Sequence, residues 1–393
     1  MALSTLLFIS DSEEVTDMTN NQTPKYSKAR AIAVTAVFVI VIFGLTIANF
    51  VITPPEISRS ERRRLASFKT PTWESILDAS WMKEFDEDYT LDSFPFRDSL
   101  RALKANFQFN VMGQSDNNDI YIVNGHAAKI ERLNEGSVEA AANKFNKLIA
   151  KLPDSANVYY SIIPDKSMYL AENHPQIDHG RLLEIMREKM NDASYIDLYS
   201  ILSADSYYTT DLHWEQSKLL PVAETLCSGM GVEISGEGYT VNTLEPFYGV
   251  YSGQSALSLD ADKLHYFTGG AIDSAVVKLL DTNTLEMADS SMYVTEKFSG
   301  IDPYDVFLSG AQPLITIENP NSTSDRELII FRDSYSSSLA PLLAEGYAKI
   351  TLIDLRYLAS PMVEQLVEFS EGCDVLFLYG TLVLNSSGVL LVM

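Results

Sequence analysis

Residues 327–343 read ELIIFRDSYSSSLAPLL, and this stretch decides the fold class. The apolar run at 328–331 predicts a buried strand, and the segment that begins at 336 predicts a helix. Ser334 therefore falls on a tight turn between a strand and a helix N-terminus. Backbone N–H groups at such a turn can hold a developing oxyanion, so the position suits a nucleophilic hydroxyl.

A second polar motif, TDLHW at 210–214, precedes another predicted helix. Polar residues at the carboxyl ends of strands gather at one edge of an α/β sheet, where such proteins bind ligands. In an extended segment the Asp-x-His spacing places both side chains on one side, so Asp211 would fix the tautomer of His213. The other ring nitrogen would then face Ser334. The pattern predicts Ser334, His213 and Asp211 as a triad for acyl transfer.

Each of these residues also has an ordinary structural interpretation. Asp333 and Ser334 are both good N-caps, which a strand-to-helix turn uses with or without chemistry. His213 alone would be a hydrogen-bonded structural histidine, and Trp214 a core residue packed beside the loop. The joint pattern, rather than any one residue, favours the catalytic interpretation.

The composition excludes some classes of function. The chain has 393 residues with 53 acidic and 29 basic side chains, which gives a formal net charge of −24. Nucleic-acid binding needs a basic face to neutralise phosphates, so we expect no nucleic-acid partner. The sequence has no Cys/His spacing typical of zinc, and it predicts neither a metal nor a cofactor. Cys227 and Cys373 allow at most one disulfide, and we interpret both as small buried apolar residues.

An uncharged apolar run occupies residues 31–55. It exceeds the roughly 20 residues that a helix needs to cross a bilayer, and it is longer than the core of a typical signal peptide. We therefore predict residues 31–53 as an uncleaved transmembrane signal anchor, with a cleaved signal peptide as the alternative. Basic residues flank both sides, but long domains translocate largely regardless of flanking charge. The tail at 1–30 is expected in the cytoplasm, and the rest of this single-pass chain is expected outside the cell membrane. A further hypothesis is that translation begins at Met18.

The remaining chain divides by pattern. Residues 54–118 predict a stalk with short amphipathic helices. From 119 to 393, continuous apolar strands alternate with amphipathic helices, which indicates an α/β fold with a mostly parallel sheet covered on both faces. Residues at about 240–320 are rich in Gly, Ser and Tyr and carry short alternating runs, which predicts a partly β insertion or lid.

The motif DLHW at 211–214 resembles the Asp-His-His-Trp sequence that names the DHHW family. It also resembles the Asp-x-His-Trp of alginate O-acetylation proteins with SGNH-hydrolase-like domains. The RDSY block at 332–335 is similar to the Asp-Ser block of that family, and similar blocks lie at 60–66, 92–98, 248–252 and 353–357. The resemblance covers nearly all of the chain after the apolar run. Leu212 departs from the pattern, since it replaces the first histidine of the motif.

The resemblance implies an extracytoplasmic SGNH-hydrolase-like α/β/α sandwich in which Ser334 accepts the acyl group, His213 is the base and Asp211 orients it. The chain order, Asp then His then Ser, is permuted relative to common SGNH esterases. The resemblance further implies Arg356 and Tyr335 as support for a substrate or an oxyanion.

In the family, such domains are associated with polysaccharide O-acetylation, beside a multispanning membrane acyltransferase that brings acetyl groups across the bilayer. The predicted function is therefore a membrane-anchored O-acetyltransferase acting on a cell-envelope or exported polysaccharide. Two alternatives stay open: a carbohydrate esterase with the same triad, and a non-catalytic glycan-binding or scaffold protein. The missing histidine at position 212 gives weight to the second.

Overall fold

The computed structural model describes residues 28–170 and 176–393. Residues 1–27 of the predicted cytoplasmic tail, and with them Met18, lie outside the described residues. The described residues divide into two compact units, the first with residues 28–54 and 93–95 and the second with residues 55–92 and 96–393.

The first unit consists mainly of one apolar helix, α1 (Lys28–Val51). Within it, Arg30–Asn49 has a mean hydropathy of 2.8 and lies unburied. Within the described parts of the chain, this helix alone is long and apolar enough to cross a membrane. The predicted N-terminal apolar helix is therefore confirmed, whereas its use as a membrane anchor stays a prediction.

The second unit contains short helices at its start and longer ones further along. Its α-helices are, in chain order, α2 (Trp73–Leu77), α3 (Ser80–Glu84), α4 (Thr90–Asp92), α5 (Arg97–Asn106), α6 (Glu135–Ile149), α7 (His179–Lys189), α8 (Leu220–Gly229), α9 (Val250–Ser255), α10 (Gly270–Ser274), α11 (Ser336–Leu343), α12 (Ser360–Leu366) and α13 (Thr381–Asn385). Two π-helical turns lie at Phe85–Tyr89 and Phe107–Val111, and 3₁₀ turns at Lys166–Tyr169, Ala204–Ser206, Gln216–Lys218, Thr295–Ser299, Pro303–Val306 and Ser387–Val389.

The strands of this unit form one large sheet and smaller antiparallel pairings. They are β1 (Ile57–Ser58), β2 (Arg63–Arg64), β3 (Asp116–Asn117), β4 (Ile120–Val123), β5 (His126–Lys129), β6 (Asn157–Ile163), β7 (Ser194–Tyr195), β8 (Thr240–Phe247), β9 (Asp262–Thr268), β10 (Val276–Leu280), β11 (Met287–Ser290), β12 (Leu314–Glu318), β13 (Glu327–Arg332), β14 (Lys349–Ile353) and β15 (Asp374–Gly380).

The large sheet has eight strands in the order β11-β10-β12-β14-β13-β15-β6-β7. The strands β14, β13, β15, β6 and β7 run parallel to one another. The strands β12, β10 and β11 extend the β14 edge in antiparallel fashion. The mostly parallel sheet that the continuous apolar strands predicted is confirmed.

Helices cover both faces of this sheet. Side chains along β13 alternate, so Leu328 and Ile330 join one core while Ile329 and Phe331 join the other. Helices α8 and α11 pack into the first core, and α6, α7 and α12 into the second. Full burial of each such apolar side chain contributes about 1.5–3 kcal/mol. The expected α/β/α sandwich is therefore confirmed.

The segment interpreted as a partly β insertion, at about 240–320, divides between two places. Strands β8 and β9 form a separate antiparallel hairpin, whereas β10, β11 and β12 join the edge of the large sheet. Strand β12 pairs with β14 from Leu314 opposite Ile353 to Glu318 opposite Lys349. The later part of this segment thus belongs to the sandwich itself.

Both cysteines are buried free thiols, in agreement with their interpretation as small core residues. Burial raises the pKa of the Cys227 thiol to about 12. A thiol that stays neutral is a poor nucleophile, so Cys227 offers no alternative centre for covalent chemistry.

Candidate active site

Ser334, His213 and Asp211 form one hydrogen-bonded line at the carboxyl end of β13. The Ser334 Oγ lies 2.8 Å from His213 Nε2, and His213 Nδ1 lies 2.7 Å from Asp211 Oδ1. Asp211 is fully buried, and His213 is 5% exposed. With the ring proton on Nδ1 and donated to the carboxylate, Nε2 accepts the hydrogen bond of the serine hydroxyl. The structure thus brings together the three side chains that the two sequence motifs singled out.

The loop that carries Asp211 and His213 is bent, not extended as the Asp-x-His spacing suggested. Asp211 Oδ1 accepts the backbone N–H of His213 at 3.0 Å as well as its ring N–H. A carboxylate that captures the N–H two residues ahead closes an Asx turn, which competes with extended structure. An antiparallel bridge between Tyr207 and Trp214 closes the loop. The prediction of an extended segment is wrong, and the turn itself brings the two side chains together.

Two charged side chains, the buried Lys166 and the half-buried Asp262, hold this loop in place. Lys166 Nζ donates to the carbonyl oxygens of Tyr208, Thr209 and Asp211 at 2.9, 3.0 and 2.6 Å. The Asp262 carboxylate accepts the N–H and hydroxyl groups of the loop's two threonines. Burial lowers the pKa of the Lys166 ammonium to about 8. The loop is therefore anchored through its backbone, which fixes where its side chains can point.

Asp211 is bound on its second oxygen as well. Oδ2 accepts the N–H of Val250 at 2.7 Å and Arg62 Nη2 at 3.0 Å. Burial acts to raise the pKa of this carboxyl, but the charges of Arg62 and His213 outweigh it and hold the pKa below its ordinary value. Gly249 permits the close packing here, because a Cβ at that position would lie 2.3 Å from the carbonyl oxygen of Thr210. Asp211 is thus a permanently ionised partner for an imidazolium.

The turn that presents Ser334 is fixed by the Asp333 carboxylate. Its Oδ1 accepts the N–H of Tyr335 at 3.1 Å, and its Oδ2 accepts the N–H of Gly380, at the end of β15, at 2.6 Å. Burial raises the pKa of Asp333, while Arg356 and these N–H groups oppose the rise. Helix α11 has Tyr335 at its N-cap position, without a side-chain capping bond. Ser334 is therefore not the helix cap that its position also allowed, and its hydroxyl faces His213 instead.

Trp214 joins the two halves of the site. It is fully buried, as expected for a core residue. Its indole Nε1 donates to the Tyr335 carbonyl oxygen and lies within hydrogen-bond distance of Ser338 Oγ, both at 3.0 Å. The loop that bears His213 is thereby tied directly to the helix that follows Ser334.

A cleft of about 580 Å³ opens at Ser334, and its walls include Arg356 and Tyr335. Arg356 binds Asp354 through Nε and Nη2, and its Nη1 has no hydrogen-bond partner among the described residues. The Tyr335 phenol donates to the Leu212 carbonyl oxygen at 2.8 Å, and its N–H is taken by Asp333. Of the two residues expected to support a substrate or oxyanion, Arg356 therefore keeps a donor, whereas Tyr335 is committed to the protein.

Backbone donors at the turn are mostly in use. The N–H of Ser336 donates to the Asp333 carbonyl oxygen, and that of Ser337 to the Ser334 carbonyl oxygen. Within residues 28–170 and 176–393, no partner is found for the N–H of Ser334. This group is the backbone donor that the turn leaves available to an oxyanion.

Leu212 lines the same cleft and lies outside the hydrogen-bonded line. The position where the DHHW motif has its first histidine is therefore a wall of the cleft. In the described part of the chain, no group of three or more His, Cys, Asp or Glu side chains could hold a metal ion.

Two side chains that contact the triad side chains directly were not predicted from the sequence. Tyr304 stacks on the His213 ring with the ring centroids 3.8 Å apart, and Arg62 binds Asp211. No motif surrounds Tyr304, which is one of 20 tyrosines, so the sequence carries no signal for it. Arg62 lies in the block at 60–66 that resembles the family, and that block was the available signal.

Comparison with known proteins places the fold. The chain matches no protein-family model and no curated protein sequence. A DHHW family protein from Eubacterium siraeum superposes with a TM-score of 0.58 at 24% sequence identity, covering 70% of this chain and 95% of that one. This chain therefore shares the fold of that DHHW family protein.

Two further structures were found. Bacillus cereus PatB1, solved with a sulfonyl adduct, superposes with a TM-score of 0.55 at 18% identity, covering 67% of this chain and 97% of that one. The O-acetyltransferase domain of Pseudomonas putida AlgJ gives a TM-score of 0.39 at 13% identity, covering 68% of this chain and 92% of that one. The resemblance to DHHW proteins that the motifs indicated is thus confirmed as a likeness of fold, and the activity has to be argued from the site.

Proposed function

We propose that the protein is a membrane-anchored, extracytoplasmic O-acetyltransferase that modifies a cell-envelope or exported polysaccharide through an acyl-enzyme on Ser334. The observation that carries this proposal is the unbroken hydrogen-bonded line from Ser334 Oγ through His213 to Asp211, at the mouth of a cleft. A serine activated by a histidine whose tautomer a carboxylate fixes is the arrangement that acyl transfer needs.

The first half-reaction loads the enzyme. His213 Nε2 takes the proton of the Ser334 hydroxyl as Oγ attacks the acetyl carbonyl carbon. The carbonyl oxygen becomes an oxyanion, for which the Ser334 N–H and Arg356 are the donors at the cleft. The tetrahedral intermediate collapses, the bond to the leaving group breaks, and the imidazolium returns its proton to that group. Asp211 stays ionised throughout and stabilises the imidazolium.

The second half-reaction transfers the acetyl group. A sugar hydroxyl enters the cleft, gives its proton to His213 Nε2 and attacks the acetyl-serine carbonyl carbon. The ester to Ser334 breaks, and His213 returns the proton to Ser334 Oγ. The acetyl ester is now on the sugar and the enzyme is restored. The donor in this proposal is a multispanning membrane acyltransferase, since the apolar helix α1 would place the protein at the same membrane.

The position of Leu212 weakens the non-catalytic alternative. That alternative drew its weight from the loss of the first motif histidine, but Leu212 lies in the cleft wall and His213 alone contacts both partners. The esterase alternative uses the same triad with water as acceptor, so a product measurement separates it from transfer.

The test uses the full-length protein in detergent micelles with p-nitrophenyl acetate as donor and a panel of envelope oligosaccharides as acceptors. Transfer predicts acetylated sugar from the parent and none from Ser334→Ala. The matched control is Ser336→Ala, because Ser336 is buried two residues away and its hydroxyl has no partner in the described part of the chain. Free acetate alone, dependent on Ser334, would instead establish the esterase. Turnover that survives Ser334→Ala would contradict both.

A further inference from the structure

We infer that Arg62, in the segment that directly follows the apolar helix in sequence, is a positioning residue that fixes the Asp211 carboxylate for the reaction. The inference rests on the proposed function. Arg62 Nη2 lies 3.0 Å from Asp211 Oδ2, and Arg62 Nη1 lies 2.8 Å from Asp302 Oδ2. The side chain of Arg62 is 9% exposed and that of Asp211 is 0% exposed. The ion pair is therefore largely shielded from water and from screening by salt.

The four donors to Asp211 divide evenly between its two oxygens. Oδ1 accepts the N–H of the His213 backbone and that of its ring. Oδ2 accepts the Val250 N–H and the Arg62 guanidinium. Arg62 is thus the charged partner on the oxygen that faces away from the imidazole. Its pull on Oδ2 sets the rotation of the carboxylate and keeps Oδ1 aligned with the His213 ring.

The backbone around Arg62 is built to deliver this side chain. Strands β1 and β2 pair with Ser58 opposite Arg63, so Arg62 sits in the turn between them. Its φ of 51° is in the left-handed region, which non-glycine residues adopt only where surrounding contacts impose it. Those contacts are present: Gly253 packs against Ser60 so closely that a Cβ would lie 1.5 Å from the Ser60 carbonyl oxygen.

Arg101 closes the same contact. Its guanidinium donates to Ser60 Oγ at 3.1 Å and to the Gly253 carbonyl oxygen at 3.2 Å. Helix α9, which contains Gly253, also contributes the Val250 N–H to Asp211. The turn that carries Ser60 and Arg62, the start of α9 and the Asp211 loop therefore form one connected structure around the carboxylate.

A purely structural ion pair and a positioning role predict different kinetics. If Arg62 serves only stability, its loss lowers the melting temperature and leaves the pH dependence of the reaction unchanged. If it positions and neutralises Asp211, its loss lowers kcat with little change in KM. It also lets the unneutralised carboxylate stabilise the His213 imidazolium. The acid limb of the rate profile then moves to higher pH.

Other titratable groups face this pair and are kept in every single-residue variant. The charged ones are Lys166 on the Asp211 backbone and Asp302 and Asp305 near Arg62 and His213, and the phenols are Tyr208, Tyr251, Tyr304 and Tyr335. The Arg62 charge opposes the rise in the pKa of Asp305, so each variant is also measured in an Asp305→Asn background. A movement of the acid limb that persists there reports the effect of the arginine on the triad.

The experiment follows p-nitrophenol release from p-nitrophenyl acetate by the full-length protein in detergent micelles, across the pH range. The variants are Arg62→Met, Arg62→Gln, which keeps hydrogen-bonding capacity without charge, and Arg62→Lys, which keeps the charge. The matched control is Arg63→Met, which removes the same charge from the neighbouring residue. Arg63 pairs with Glu61 and Asp92 and is 44% exposed.

We expect kcat to fall roughly tenfold or more in Arg62→Met and Arg62→Gln, with KM near the parent value, because misplacing an orienting carboxylate impairs the reacting geometry. The acid limb should move to higher pH in both. Arg62→Lys should keep the parent limb and recover part of the rate, and Arg63→Met should resemble the parent.

The inference would be overturned if the Arg62 variants had the same kcat and the same acid limb as Arg63→Met. The proposed function would remain intact in that case. Should Arg62→Met fail to fold, Arg62→Gln decides the matter by the same criteria. A parent whose release is unaffected by Ser334→Ala would overturn the proposed function, and this inference with it.

Discussion

His213 and Tyr304 lie face to face, with ring centroids 3.8 Å apart and ring planes 6° apart. The Tyr304 hydroxyl lies 2.7 Å from Ser338 Oγ, which also lies 3.0 Å from the Trp214 indole nitrogen. The imidazole is therefore held flat between the segment at 295–310 and the Ser334 turn. A ring held this way keeps Nε2 on the serine without searching other rotamers, which is the preorganisation that general-base catalysis uses.

The stack on His213 can be separated from the hydroxyl contact. Tyr304→Phe keeps the ring and should stay within about threefold of the parent first-turnover rate, at a stability cost of about 1 kcal/mol for the lost hydrogen bond. Tyr304→Ala frees the imidazole and should slow acylation roughly tenfold or more. The measurement is the burst of p-nitrophenol from p-nitrophenyl acetate. Equal rates for the alanine and phenylalanine variants would show that the stack does not position His213.

Lys166 should have two opposite effects on the stability of the folded protein. Its hydrogen bonds to the Asp211 loop stabilise the fold, whereas the burial of its charge near neutral pH destabilises it. Lys166→Met leaves three carbonyl oxygens without their donor. Buried groups left unsatisfied in this way lower the free energy of unfolding by roughly 1–3 kcal/mol, so we expect the melting temperature to fall by several degrees. Acylation should slow as well, because the same carbonyl groups locate Asp211.

The pH dependence of that effect has a definite sign. The pKa of Lys166 is lowered to about 8 in the folded protein, below its unfolded value of about 10.4. Between these values the unfolded chain holds a proton that the native protein has released, so this group makes stability rise with pH there. The parent should gain stability relative to Lys166→Met as pH rises through this window in urea titrations. A constant difference would contradict the assignment, and the exposed Lys83→Met serves as control.

Asp305 is a half-buried carboxyl group whose ionisation has a measurable effect on stability. Burial and the neighbouring Asp302 raise its pKa to about 6. The native protein then binds a proton that the unfolded chain has lost between about pH 4 and about pH 6, so stability from this group falls as pH rises through that window. Asp305→Asn should therefore melt higher than the parent at pH 7, with the gain shrinking toward pH 4. An unchanged gain at both values would be inconsistent with a raised pKa.

Leu212 should be dispensable for the chemistry and relevant to binding. Leu212 lines the cleft, and its side chain has no group that can transfer a proton or donate a hydrogen bond. Leu212→Ala should therefore keep the rate of acylation by a small ester within about threefold of the parent rate, as expected for a wall residue. Leu212→His, which restores the family motif, should also keep the activity of the parent. A loss of acylation above that range in the alanine variant would mean that this position is part of the catalytic machinery after all.

Much of the site was predictable because its signals are local. Ser334 follows an apolar strand and precedes a helix, and that order alone places its hydroxyl at the carboxyl end of β13. The apolar character of β13 and β15 on both faces likewise indicated a covered parallel sheet, since no solvent face interrupts it.

What escaped prediction depends on contacts between distant segments. Tyr304 reaches His213, and Arg62 reaches Asp211, across stretches of chain whose spacing reveals nothing about the packing. The bend at Asp211 likewise arises from the carboxylate binding the His213 N–H, a choice that the Asp-x-His spacing alone leaves open. Strand β12 joins the large sheet by antiparallel pairing with β14, and β10 and β11 follow beyond β12, an arrangement that local patterns do not encode.

The most direct test of the central claim is the intact mass of the full-length protein after brief exposure to p-nitrophenyl acetate, and in parallel to a small sulfonyl fluoride. We expect one acetyl or one sulfonyl group on the parent and on Ser336→Ala, and none on Ser334→Ala. The His213→Ala variant should acylate far more slowly. An adduct that persists in Ser334→Ala, or a folded parent that takes no adduct from either reagent, would contradict the assignment of Ser334 as the nucleophile.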